Sequence, residues 1–371
     1  MTSLVVPAAV LTRARRAADA FRQLTGVTVD AAELLAGRAG LLGLQPHGRI
    51  SAGGATRLMR SSDGWCALTL SRRDDVDAVP ALLESDAIGD DPWPAVQRWV
   101  AGNPSADVTA RARLLGLPVA ALGETRAMPP RIKTLGAAAA PRQPSGLLVA
   151  DLSSMWAGPL CGQLITRAGA TVVKVETTAR PDGTRAGPSA FFDWMNSGKY
   201  SYAVDFDDSS GLRLLLEAAD VVIESSRPSA LAYRGFGPTD IAPRDGRVWL
   251  RVTGHGAVGE QAGWVAFGDD AAVSGGLVGG TDREPVFCGD AIADPLTGLH
   301  AALEVAESLS RGGGELVELS MAAVAATYAA DDREAETRCT ATPVPSISAS
   351  ELGSDNAVVE RLLTERRLAS C

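Results

Sequence analysis

The chain has 371 residues, of which 46% are hydrophobic and 21% charged, and its formal net charge is −9. That length fits two domains with ample apolar material for a core, and the acidic balance disfavours a nucleic-acid binder, whose phosphate contacts demand a basic face. No apolar run reaches the ~18 residues of a membrane span, and the opening MTSLVVPAAVLTRARRAADAF lacks the uninterrupted apolar core of a signal peptide, so a cytoplasmic protein with no membrane partner is expected.

Residues 1–45 read as an Ala/Arg-rich helical segment. Residues 46–123 read as a small α+β domain: a Gly-bearing stretch HGRISAGGATRL, a strand in DGWCALTL, then helical patterns in VDAVPALLES, WPAVQRWVA and SADVTARARLLG. In residues 124–145, ETRAMPPRIKTLGAAAAPRQPS, prolines, alanines and isolated charges replace periodic pattern, as in a linker.

From 146 to 330 the pattern alternates. LLVADL (147–152), TVVKVE (171–176), YSYAVDF (200–206), VVIES (221–225) and RVWLRVTG (247–254) read as strands. GPLCGQLITRAGA and SSGLRLLLEAAD read as helices between them. The expectation is an α/β fold: a Rossmann-like domain with a parallel sheet, preceded by the small α+β domain, with ligands at the carboxyl ends of the strands. Residues 331–371 are expected as a tail packing on the large domain. The first strand-to-helix turn, DLSSMWAGPLCG, lacks G-x-G-x-x-G, which makes a nicotinamide dehydrogenase a poor reading.

Five scattered cysteines, Cys66, Cys161, Cys288, Cys339 and Cys371, show no metal-ligand spacing and read as reduced thiols. His47, His255 and His300 lie far apart, which argues against a His-centred metal site or triad. The helical stretch ADPLTGLHAALEVAESLS (293–310) begins with Asp294 before Pro295, and alone this reads as a helix cap.

Five segments change that reading. DLSSMWAGPLCGQLITRAGATVVKVE, RPDGTR, MNSGKYSYAVDF, ADVVIESSRPSAL and DPLTGLHAAL, in this order, resemble the class III CoA-transferases, which include formyl-CoA and carnitine CoA-transferases and the related α-methylacyl-CoA racemases. The resemblance implies an enzyme with acyl-CoA and a carboxylic acid acceptor as substrates, no tightly bound cofactor, and an interlocked homodimer. In the family the small domain follows the Rossmann part. Here it comes first, so the chain resembles a circularly permuted version, or a fragment of a longer ancestral fusion, with a family-like tail, ASELGSDNAVVERLL.

Asp294, Thr297, Gly298 and His300 fill the places of the family's D-x-x-T-G-x-H, which implies that Asp294 is the nucleophile. A carboxylate can attack a thioester and pass through a mixed anhydride to an enzyme-bound thioester. His300 reads as a packed helix residue. Gly298 and the glycines Gly53 and Gly54, similar to a loop covering the aspartate in formyl-CoA transferase, are expected to support the oxyanion or the loop. CoA phosphates need cations or free N–H groups. Trp156 and Ala157 at the first turn, with Lys174, Arg185, Lys199, Arg227 and Arg234 near strand ends, are the expected CoA contacts; Arg234 stands beside Tyr233, where many members carry arginine.

Two alternatives stay open, a racemase and a catalytically idle CoA-binding protein. Family racemases use a histidine in a G-H-D segment, matched here by Gly268, Asp269 and Asp270. An aspartate of ordinary pKa, about 3.9, is a poorer proton donor than histidine, so transfer without racemisation is expected unless burial raises Asp269 strongly.

Overall fold

Strong apolar runs interleaved with amphipathic helices build, among the described residues, a seven-stranded sheet, a three-stranded sheet and two two-stranded pairs. The computed structural model describes residues 3–85, 88–206, 210–330, 335–345 and 347–369; Cys371 lies outside them. From the N-terminus, β1 (Leu4–Pro7) leads into α1 (Ala8–Thr25) and α2 (Ala31–Leu42). Asp30 starts α2 by accepting the Ala32 N–H at 2.8 Å, an ordinary carboxylate cap.

The small unit has β2 (Thr56–Arg60), β3 (Trp65–Thr69), α3 (Arg73–Asp77), α4 (Val79–Leu83), α5 (Trp93–Gly102), α6 (Ser105–Leu114) and β4 (Val119–Ala121). Its strands form an antiparallel sheet in the order β2-β3-β4, over a core that includes Leu68, Leu82, Val96, Val100 and Leu117. The stretch expected as a linker departs from that reading. It contributes β5 (Arg131–Thr134), which pairs antiparallel with a strand of the large sheet. Its short RIKT run between prolines and glycine carries no periodic signal of its own.

The large sheet is built from β6 (Leu148–Leu152), α7 (Ala157–Arg167), β7 (Thr171–Glu176), α8 (Ser189–Asn196), β8 (Tyr200–Ala203), α9 (Ser210–Ala218), β9 (Val221–Glu224), α10 (Pro228–Ala232) and β10 (Val248–Thr253). Next come α11 (Gly268–Ser274), the two-residue strands β11 (Gly279–Gly280) and β12 (Pro285–Val286), α12 (Ala293–Ser310), β13 (Glu315–Ser320), α13 (Met321–Ala329), β14 (Glu336–Cys339) and α14 (Asn356–Ala369).

The order across the sheet is β5-β13-β10-β9-β6-β7-β8, with every neighbour from β13 to β8 parallel. The chain thus runs one way from β6 to β8 and the other way from β9 to β13. In such doubly wound sheets the crevice at the reversal, between β6 and β9, is where ligands bind. Because both faces are covered, the strands are apolar on both sides. Val149, Val221, Ile223 and Leu250 face a core shared with Leu34, Leu160 and Leu296, whereas Leu148, Val222 and Trp249 face Leu212, Leu215 and Leu363.

The N-terminal segment is part of this core. β1 pairs antiparallel with β14, and α1 and α2 bury Val10, Phe21, Leu34 and Leu35 in the same cluster as the apolar sides of α7 and α12. Among the described residues, no helix is long and apolar enough to cross a membrane.

Candidate active site

The start of α12 lies against the start of α7, and here the cap reading of Asp294 needs correction. The helix begins two residues earlier, with Ile292 at the cap position, and the Asp294 N–H donates to Ala291 O at 2.8 Å. The Asp294 carboxylate instead accepts the N–H of Ala157, the first residue of α7. That helix needs an outside acceptor, because its cap residue, Trp156, makes no side-chain capping bond. Asp294 therefore caps the facing helix rather than its own.

Close approach of the two helices depends on missing side chains. A Cβ on Gly298 would stand 2.7 Å from Ala157 O and 2.8 Å from Leu160, so the absence of a side chain here lets the two helices meet. A Cβ on Gly268 would stand 2.3 Å from the Asp294 carboxylate. The backbone is strained on both sides: Met155 has φ 74° and Ala291 φ 40°, conformations that cost about 1–3 kcal/mol each and collect at functional sites.

Around Asp294 stand Asp269, Asp290 and Arg38. Arg38 Nη1 donates to Asp290 at 2.6 Å, and its guanidinium lies 5.5 Å from the centre of the Trp156 ring and 5.6 Å from that of Phe191. Asp269 accepts the Ala291 N–H at 3.0 Å and the Ser51 hydroxyl. Burial pushes Asp294 up to about 7, Asp269 and Asp290 add to the rise, and Arg38 opposes it. Asp269 is pushed up to about 6, first by burial and then by Asp290. The sequence-based argument from an ordinary aspartate pKa therefore does not hold for Asp269. Asp270 rises to about 8 through burial, yet it faces elsewhere: it accepts from Thr69 at 2.8 Å and from the Phe267 N–H at 3.0 Å, tying the small unit to α11.

The exposed glycines Gly53 and Gly54 follow Ser51, and a Cβ on Gly53 would lie 3.5 Å from Arg38 Nη2, which puts their loop beside the cluster. Thr297 is fully buried, and its hydroxyl has no partner among the described residues. His300 meets the Tyr328 hydroxyl at 2.9 Å and is pushed down to about 4 by burial, which leaves it a packed, neutral ring.

Three of the expected phosphate cations are held inside the protein. Lys199 donates to Asp151 at 2.9 Å, Pro159 O at 2.8 Å and Asn196 at 3.0 Å, with both members of the ion pair buried. Lys174 donates to Ser153 O and to Asp182 at 2.7 Å. Arg185 forms a fork on Glu176, at 2.9 and 2.6 Å, and lies over the Phe192 ring. Asp182 in turn accepts the Met155 N–H, so Lys174 braces the turn that presents Ala157 to Asp294. Burial alone would raise Asp182, but Lys174 and the Thr184 bonds hold it below the usual range.

Arg227 and Arg234 are exposed, the former at the cap of α10 just after β9, the latter 5.9 Å from the Phe206 ring centre. Tyr233 is 94% exposed. The loops after β6 and β9 touch, with the Ser154 N–H donating to Ser225 Oγ at 3.2 Å, so Trp156, Ala157 and Arg227 all follow the strands that flank the reversal. His255 is buried and pushed down to about 4 by burial, and Cys66, Cys161, Cys288 and Cys339 are buried and outside any disulfide.

Sequence reasoning missed Arg38, Asp290 and Ser51. Arg38 did leave a signal. In AAELLAGRAGLL it is a lone cation on a helix that otherwise buries Leu34, Leu35, Ala36 and Ala39, and such a charge requires a partner.

The description CoA-transferase family III matches residues 145–352. Among curated proteins, succinyl-CoA–D-citramalate CoA-transferase of Chloroflexus aurantiacus is 30% identical over 199 residues, covering 49% of this chain and 50% of that protein. Human succinyl-CoA:glutarate CoA-transferase is 34% identical, covering 42% of this chain and 39% of its own. Formyl-CoA:oxalate CoA-transferase of Afipia carboxidovorans is 29% identical, with 48% and 46% covered. The chain spans about half the length of the curated relatives it matches. With residues 145–352 of 371 inside the family match, the chain belongs to CoA-transferase family III.

Proposed function

We propose that the protein transfers CoA between carboxylic acids with Asp294 as covalent nucleophile. The observation that carries this reading is the placement of the Asp294 carboxylate on the Ala157 N–H, partly exposed, at the meeting of two helix N-termini. An Asp294 oxygen attacks the acyl-CoA carbonyl and CoA leaves as thiolate, giving a mixed anhydride. The thiolate then attacks the Asp294 carbonyl carbon, expels the donor carboxylate and forms an aspartyl-CoA thioester. The acceptor carboxylate attacks that thioester, and the same two steps run in reverse. Each intermediate stays an activated acyl group, so no external energy is needed. The Ala157 N–H supports the ionised carboxylate and suits the oxyanion that forms on it.

In this reading CoA lies in the Rossmann-like crevice after β6 and β9, near Trp156, Ala157 and Arg227, with Arg234 further along. The relatives' names point to acids such as succinate, glutarate and oxalate as first substrates to try. The assay is formation of a new acyl-CoA from each donor and acid. The nucleophile must be ionised, so with Asp294 near 7 the rate should rise as pH increases from 6 to 8. A rate that is flat or falls over that interval contradicts the assignment.

The homodimer and the permuted domain order belong to the same proposal, as does a cytoplasmic setting. A monomer by light scattering at micromolar concentration contradicts the dimer.

The raised Asp269 favours a second reading, because a carboxylic acid holding its proton to about pH 6 beside Asp294 can serve in α-proton exchange. Incubation of a 2-methylacyl-CoA in deuterium oxide separates the two. The transferase reading expects no α-deuterium; uptake lost in both Asp269→Asn and Asp294→Asn, without CoA transfer, supports the racemase.

A further inference from the structure

Arg38 lies outside the matched segment 145–352, on a helix of the N-terminal region, yet it is the cation among Asp269, Asp290 and Asp294. Among the described residues its side chain makes one hydrogen bond, from Nη1 to the buried Asp290. The guanidinium is a fork of five donors. Asp290 holds one arm, Trp156 and Phe191 lie under the planar group, and Nη2 is left beside the Gly53 loop with the side chain 23% exposed.

We propose that Arg38 anchors the carboxylate of the acceptor acid through the arm that Asp290 leaves free. This rests on the transferase reading and adds a residue to it. Charge balance supports the order of events. Conversion of Asp294 to the aspartyl-CoA thioester removes one negative charge from the cluster, and an acceptor carboxylate arriving next to Arg38 restores it. Held there, one acceptor oxygen forms a C–O bond to the Asp294 carbonyl carbon while the C–S bond breaks and CoA departs as thiolate; no proton is transferred. The groups that face the cluster are Arg38 from α2, the Ser51 hydroxyl before β2, Asp269 from α11, Asp290 before α12, and the Ala157 N–H from α7.

Arg38→Lys keeps the charge and loses the planar fork, which makes it the informative variant. Its acceptor KM should rise about tenfold or more, while formation of the CoA adduct from donor alone slows by no more than about threefold. Arg38→Gln should raise acceptor KM further. An acceptor KM unchanged in Arg38→Lys overturns the proposal, whether or not the glutamine variant folds. If the wild-type protein forms no adduct with any donor, the transferase reading fails by itself. The anchor is then decided by calorimetric titration with malonate: binding weakened about tenfold in Arg38→Lys upholds it, and equal or absent binding in both proteins overturns it.

Discussion

Asp294→Asn is expected to lower CoA transfer by ~10³-fold or more, as removal of a covalent nucleophile does, while leaving the fold intact. The amide oxygen of asparagine can still accept the Ala157 N–H, so the cap on α7 survives and only the nucleophilic charge is lost. Asp294→Ala removes both, and should be equally inactive and about 1 kcal/mol less stable. The pair of variants separates the two roles: thermal melting follows the cap, and turnover follows the carboxylate. An alanine variant that melts lower but transfers CoA at the wild-type rate would leave Asp294 a capping residue alone.

Lys199→Met is expected to act on stability first. The ammonium and Asp151 are both buried, and removal of one partner leaves an uncompensated charge at a cost of ~3–5 kcal/mol. For a domain of this size that is roughly 10 °C in melting temperature. Burial lowers the Lys199 pKa and Asp151 opposes the shift, as in a pair that persists only because each member has the other. Replacing both, as Asp151→Leu with Lys199→Met, should recover much of the loss. A phosphate-binding lysine would behave the opposite way, with unchanged melting and weakened CoA affinity. Differential scanning calorimetry alongside CoA titration distinguishes them.

Local pattern reveals some parts of the molecule and hides others. TVVKVE was expected as a strand over 171–176 and β7 occupies those residues; LLVADL and VVIES lie within one residue of β6 and β9 at each end. Strands buried on both faces must be apolar throughout, and that leaves a strong local trace. β5 and β13 left weaker ones: RIKT is edge backbone among prolines, and ELVELS carries charges that answer partners on other strands, such as Glu318 on Arg251 at 3.1 Å.

The site divides in the same way. Asp294 stands out as a candidate because its surroundings in sequence are also the motif that the resemblance rests on. Lys174 and Lys199 were read as phosphate contacts because a lysine near a strand end gives no hint of a buried carboxylate 8 or 48 residues away. Arg38 was missed because Asp290 is 252 residues distant. Charge pairing across the fold is a tertiary property, and the pKa of Asp269 followed it: burial beside Asp290 lifted an acid that its sequence context made look ordinary.

The most direct measurement is the intact mass of the protein after incubation with an acyl-CoA and no acceptor. The mechanism predicts a gain equal to CoA less one water on Asp294, released by hydroxylamine and absent in Asp294→Asn. Rapid CoA transfer with no adduct, or an adduct of the same mass in Asp294→Asn, would contradict it.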